Sequence, residues 1–160
     1  MNNLLILDTQ GACLAADDPW TLVREREGEL PPGRLILPLS RWSAQHDVSH
    51  GVWLGPDDDL ECLELWLEVL PLIALDFPSF RDGRAYSQAY LLRTRLGWEG
   101  ELRAIGDVLR DQLSHMRQCG FSSFAVREDK SAEDALKGLA GMSVLYGRSA
   151  IEPRPLFRRR

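Results

Sequence analysis

The sequence lacks almost every motif that would name a reaction. No G-x-G-x-x-G follows a strand, and neither G-x-x-x-x-G-K-[ST] nor G-x-S-x-G occurs. These absences remove the ordinary dinucleotide, P-loop and α/β-hydrolase readings. Cysteine is scarce: Cys13, Cys62 and Cys119 are far apart, odd in number and form no C-x-x-C pair. Reduced thiols in a cytoplasmic protein are expected, with no cysteine set for an iron–sulfur cluster. His46 and His50 stand four apart, but Val48-Ser49 and Gly51 interrupt a shared helix and no third ligand follows, so no metal site is expected. No cofactor is evident. Positive charge is also short, with a formal net charge of −5, so bulk electrostatics makes no case for nucleic acid. No apolar run approaches the roughly 20 residues of a membrane span. The opening MNNLLILDTQ has too short an apolar run, and no basic leader, for a signal peptide.

What remains is an ordinary globular composition, 44% hydrophobic and 27% charged over 160 residues. That fits a single domain able to bury its own core without a metal or disulfide staple. Residues 1–33 read as an N-terminal appendage. Leu4–Leu7 and Ala12–Ala16 flank a turn at Thr9-Gln10-Gly11 as a β-hairpin would, Trp20–Val23 is a possible third strand, and Arg24–Glu29 is a charged, exposed connection. Pro31-Pro32-Gly33 then breaks the chain. From residue 34 to 146 the pattern becomes strand, helix, strand, helix. Strands are expected at Leu35–Leu37, Val52–Leu54, Leu72–Leu75, Leu102–Ile105 and Phe121–Val126. Helices are expected from Ser40 to Gln45, over 60–70, from Arg84 to Leu96, from Asp107 to Cys119 and from Ser131 to about Tyr146. Residues 147–160, with Pro153, Pro155 and five arginines, read as a flexible tail.

The fold class expected is α/β: a mostly parallel sheet of about five strands with helices on both faces, preceded by the N-terminal β-hairpin. Right-handed crossovers would place every strand-to-helix loop on one edge, where ligands of such sheets bind. The loops brought there are Asp57–Asp59, Asp76–Arg84, Gly106-Asp107 and Arg127–Ser131.

The richest of these loops holds Asp76, Ser79, Arg81, Asp82, Gly83 and Arg84. Asp76 ends a buried strand, where a carboxylate can act as a base, bind a metal or hold an arginine; a salt bridge to Arg81 or Arg84 is the structural alternative. Asp82-Gly83-Arg84 opens a helix whose free amides can hold an anion, or Asp82 can cap that helix. Asp107 repeats the arrangement as an N-cap or as part of a polar cluster with Asp76, with Asp111 and Gln112 following. Arg103 lies inside a strand and needs a partner, and Glu101 is on the same face.

From Leu72 to about Phe124 the chain resembles the bacterial domain-of-unknown-function family 934. The residues that carry the resemblance include Asp76-Phe77-Pro78, Phe80, Asp82-Gly83-Arg84, Tyr86-Ser87-Gln88-Ala89, Leu92-Arg93, Gly100-Glu101-Leu102-Arg103-Ala104, Gly106-Asp107-Val108, Asp111-Gln112 and Cys119-Gly120-Phe121. Trp98 departs from the family pattern at what reads as a surface position. The resemblance implies a setting beside sulfite or nitrite reductase-like haemoproteins and sulfate-reduction enzymes. An accessory protein of assimilatory sulfite reduction is therefore expected, with the haemoprotein as binding partner. The acidic residues 57–68 would suit a basic partner. The alternative is a small oxidoreductase or other enzyme with an anion or small-molecule site at the sheet edge.

Overall fold

The computed structural model describes residues 3–8, 11–15 and 17–139. The tail expected at 147–160 and the last turns of the final helix lie outside these residues. Eight strands form one sheet: β1 (Leu4–Asp8), β2 (Gly11–Leu14), β3 (Trp20–Leu22), β4 (Arg34–Pro38), β5 (Gly51–Leu54), β6 (Leu72–Phe77), β7 (Glu101–Gly106) and β8 (Ser123–Ala125). Four α-helices accompany them: α1 (Leu39–Gln45), α2 (Arg84–Thr94), α3 (Leu113–Cys119) and α4 (Ala132–Leu139). The strand order is β2-β1-β8-β7-β6-β5-β4-β3. Strands β3 to β8 are parallel, and β1 pairs antiparallel with both β2 and β8. The mixed, mostly parallel α/β class is as expected. The strand count is higher, and the N-terminal hairpin continues the sheet through β1 and β8 instead of standing outside it.

The helices do not divide between two faces. From β3 to β8 the spatial order follows the chain without reversal, so every right-handed crossover falls on the same side. Covering both faces requires the order to reverse, and here it never does. Strand alternation shows the result. Leu35, Leu37, Val52, Leu54, Ile73, Leu75, Phe77, Leu102 and Ala104 join a core with Trp42, Leu63, Ala89, Leu92, Leu113, Met116 and Leu139 from the helical side. The intervening residues, Ile36, Trp53, Leu72, Ala74 and Ile105, form a second, smaller cluster with Leu4, Trp20 and Ala125, all from strands or strand ends.

The helix-free face is concave. β2 and β3 are the two edges of the eight-stranded sheet, yet only residues 15–19 connect them. A flat sheet of that width would separate its edges by roughly 34 Å at the usual strand spacing. Residues 14 to 20 can span about 20 Å at most. The sheet therefore curls, and the connection crosses its hollow side. Asp18 in that connection meets Arg103 of β7 there, with Nη1–Oδ2 at 3.0 Å and Nη2–Oδ1 at 3.2 Å. Glu101 adds a second carboxylate at 2.7 Å from Nη2, and the Ser123 hydroxyl lies 3.3 Å from Nε. The partner expected for Arg103 is present, together with one from the far end of the chain.

Three local expectations change. Residues 60–70 do not form an α-helix: Leu60–Trp66 is a 3-10 helix capped by Asp59, whose Oδ1 accepts the Glu61 amide. Leu60 and Leu63 are buried and Trp66 is partly so, a period of three, which is the 3-10 repeat. The helix expected from Asp107 begins only at Leu113, after a 3-10 turn at Arg110–Gln112. Leu109 is extended, and the Asp107 amide bonds Phe77 O at 2.8 Å instead of opening a helix. Trp98 is not at the surface. It is 4% exposed in the main core, and a Cβ on Gly100 would sit 2.4 Å from its ring, so Gly100 makes the room.

Candidate functional site

The parallel strands end on one rim, and the loops expected to converge there do touch. Arg84 of the α2 start reaches Asp57 at 2.6 Å. Asp107 Oδ2 accepts the Phe80 amide at 2.7 Å, and its Oδ1 accepts from Arg127 Nη1 at 2.8 Å. Gln112 Nε2 donates to Phe80 O. Loops after β5, β6, β7 and β8 are thus tied together by side chains from all four.

The roles differ from residue to residue. Arg84 lies between Asp82 and Asp57, and its Nε and Nη2 both meet Asp82. The hydrogen bonds from Arg84 lower the Asp82 carboxyl to about 2, and the same bonds hold the guanidinium above its usual value. Asp82 also accepts the Arg84 amide, while the N-cap position falls on Gly83. An anion at the α2 N-terminus would meet these two acids before the arginine. Ser79 Oγ accepts the Arg81 amide, and Arg81 lies over the half-exposed Phe80 ring. Asp111 is exposed in the 3-10 turn. Asp107 and Gln112 are ties that shape the 78–83 loop. Among the described residues no group of three His, Cys, Asp or Glu side chains is placed to hold a metal ion.

Asp76 is different. Alternation along β6 turns it toward the concave face, where it is 8% exposed. Its partner is neither Arg81 nor Arg84 but Arg24, which follows β3, with Nη1 2.9 Å from Oδ1. The Arg24 guanidinium also lies over the Trp53 ring, 5.0 Å from its centroid, a favourable cation–π placement. Gly106 lets the two strand ends close up behind Asp76. Its φ is +91°, and a Cβ there would stand 2.4 Å from Phe77 O and 2.5 Å from Asp76 Oδ1.

Arg24, Asp76, Phe77, Pro78, Gly106, Asp107 and Arg127 line an open cleft of about 460 Å³ on this rim. It shares Arg24, Gly106 and Arg127 with a larger hollow of about 760 Å³, walled by Trp20, Thr21, Leu22, Ala125 and Val126 and edged by Glu128 and Asp129. Arg127 is held by Asp129 and Asp107, and the hydrogen bonds it donates to these two carboxylates keep its guanidinium above the usual value.

Sequence reasoning located the rim and Asp76 but missed Arg24, Trp20 and Trp53. The signal for Arg24 was its place directly after Trp20–Val23. Once that segment is a parallel strand of the sheet, its C-terminal neighbour stands on the rim. His115 and Cys119 lie away from the cleft: the His115 ring packs 4.3 Å from that of Tyr86, and its Nε2 is 4.0 Å from Cys119 Sγ. Burial pushes the Cys119 thiol up, the opposite of what a nucleophile needs.

No curated protein and no solved structure matches the chain. One family profile matches residues 51–157, the family described as bacterial protein of unknown function (DUF934). The match begins at β5, so Arg24 and β3 lie before it, while Asp76, Gly106, Asp107 and Arg127 lie within it. With its profile spanning most of the sequence, the chain belongs to this family.

Proposed function

We propose that this chain is an accessory protein of assimilatory sulfite reduction that acts in the cytoplasm by binding a sulfite or nitrite reductase-like haemoprotein. The observation that supports docking is the outer side of residues 60–69. Burial of Leu60 and Leu63 turns Leu65 and Val69 outward, 91% and 54% exposed, among the exposed Glu61, Glu64 and Glu68. Tyr90 and Leu91 of α2, 45% and 39% exposed, add to the apolar surface. Leu91 also lines a small hollow with Leu60 and Glu61, and Arg95 bridges to Glu61 at 3.0 Å. Single exposed leucines are common on protein surfaces; several beside a row of acids suit an apolar contact ringed by basic side chains.

The test is co-purification of the two proteins followed by titration calorimetry. Leu65→Asp together with Glu64→Lys and Glu68→Lys is expected to weaken the complex at least about tenfold. The melting temperature of the isolated chain should hold, because these side chains are exposed. Two proteins that elute separately at micromolar concentration overturn the reading.

One observation favours a second reading, an enzyme or binding protein with a small-molecule site at the sheet edge. It is the rim cleft, which opens at the strand C-termini where ligands of parallel sheets sit.

A further inference from the structure

Asp76 and Arg24 are unusual among the ion pairs of this rim. The Asp76 side chain is 11% exposed, and beyond the ion pair with Arg24 at 2.9 Å neither of its oxygens accepts a hydrogen bond from a described residue. Buried carboxylates in folded proteins are nearly always hydrogen-bonded. Arg24 is in the matching condition. Its side chain is 42% exposed and rests on Trp53 and Asp76, with no further acceptor among the described residues. Of the neighbouring rim carboxylates, Asp107 is engaged by Phe80 and Arg127, and Asp129 by Arg127; Gln112 Oε1 is a further buried oxygen without a partner among the described residues. The cleft therefore presents one ion pair whose remaining carboxylate lone pairs and guanidinium N–H groups have no partner among the described residues.

A simple anion would suit Arg24 but would face the Asp76 carboxylate. A simple cation would suit Asp76 but would face Arg24. A ligand with a carboxylate and an ammonium on adjacent atoms answers both. We propose that the cleft binds an α-amino acid, with its carboxylate on Arg24, its ammonium on Asp76 and its side chain in the adjoining hollow. Trp20, Leu22 and Val126 line one part of that hollow, on which an apolar side chain can pack, while Glu128 and Asp129 edge another.

The purified full chain titrated with L-leucine, followed by ligand-observed NMR and calorimetry, tests the site. L-leucine is expected to bind. Leucine methyl ester, without the carboxylate, and N-acetyl-leucine, without the ammonium, should each bind at least about tenfold more weakly, the loss expected for one charge-assisted pair. Arg24→Ala and Asp76→Asn should each weaken L-leucine by a similar factor with unchanged far-UV circular dichroism. No response to L-leucine, equal responses across the three compounds, or a response that survives both substitutions overturns the proposal. Should either variant misfold, the three compounds on the unaltered chain decide alone. Leucine binding is read on the isolated chain and docking on the pair, so the two readings fail separately.

Discussion

Arg103→Leu is expected to lower the stability of the fold by about 3–5 kcal/mol, the loss found when one member of a buried ion cluster is removed. Arg103 and Asp18 are 1% and 4% exposed at their side chains, and Glu101 is 31% exposed. Taking the guanidinium away removes the cation that the buried Asp18 and the partly buried Glu101 share, and the connection that carries Asp18 loses its anchor on β7. A domain of this size has roughly 5–15 kcal/mol of stability in total, so a large share would be lost. Urea unfolding should show a lower midpoint. Adding Asp18→Asn to Arg103→Leu should recover part of the loss, because one of the two carboxylates that faced the guanidinium is gone; a purely additive double variant would show that the two groups are not coupled.

The same cluster sets an acid dependence. Burial pushes the Asp18 carboxyl up, but hydrogen bonds and positive charge, those of Arg103 the largest, together outweigh it, and the net direction is down from 3.8. A carboxyl depressed on folding contributes stability that is fully present above its unfolded value. That contribution disappears as pH falls through the folded value, below 3.8 here. Urea midpoints measured from pH 6 downward should therefore fall more gently in Asp18→Asn than in the unaltered chain. Identical slopes would remove Asp18 from the account.

Gly106→Ala is expected to cost about 3–5 kcal/mol, from backbone strain at a positive φ together with a contact that cannot relax. The clashing atom is Phe77 O, a backbone atom of β6, and Phe77 is the register partner of Gly106. Moving it away would open the pairing of β6 with β7. Gly97→Ala is the comparison: its φ is +75° but no atom lies within 4 Å of the added Cβ, so strain alone applies, about 1 kcal/mol. Denaturant titration of both variants separates the two contributions. Equal losses would place the whole effect in backbone strain. The Gly106 variant should also close the cleft at its floor, because the new methyl points at Asp76 Oδ1.

Much of the architecture was legible along the chain. β4, β5, β6, β7 and α1 cover the stretches whose patterns pointed to them and run one or two residues beyond, and α2 and α3 fall within theirs, because alternation and helical periodicity are local consequences of burial. Arg103 could be read as needing a partner because a charge inside a strand has no water. The rim could be located because right-handed crossovers send all strand-to-helix loops to one edge. The residues between Gly106 and Leu113 were misread for a reason that is not local. Asp107 looks like a helix cap in sequence, but its carboxylate is engaged by Phe80 and Arg127, which only the folded chain brings near.

The sequence by itself determined the order of strands and helices, the polar edge on which the strands end and the family to which the chain belongs. Only the tertiary structure decided that the strand order never reverses. From that order follow helices on one face, a hollow opposite face and a short connection drawn across it. Only it decided that Arg24, from a stretch that reads as a solvated connection, meets Asp76. Periodicity reports which face of an element is buried, and nothing in it specifies which distant element lies opposite. That depends on strand order and curl, which the whole sheet sets together.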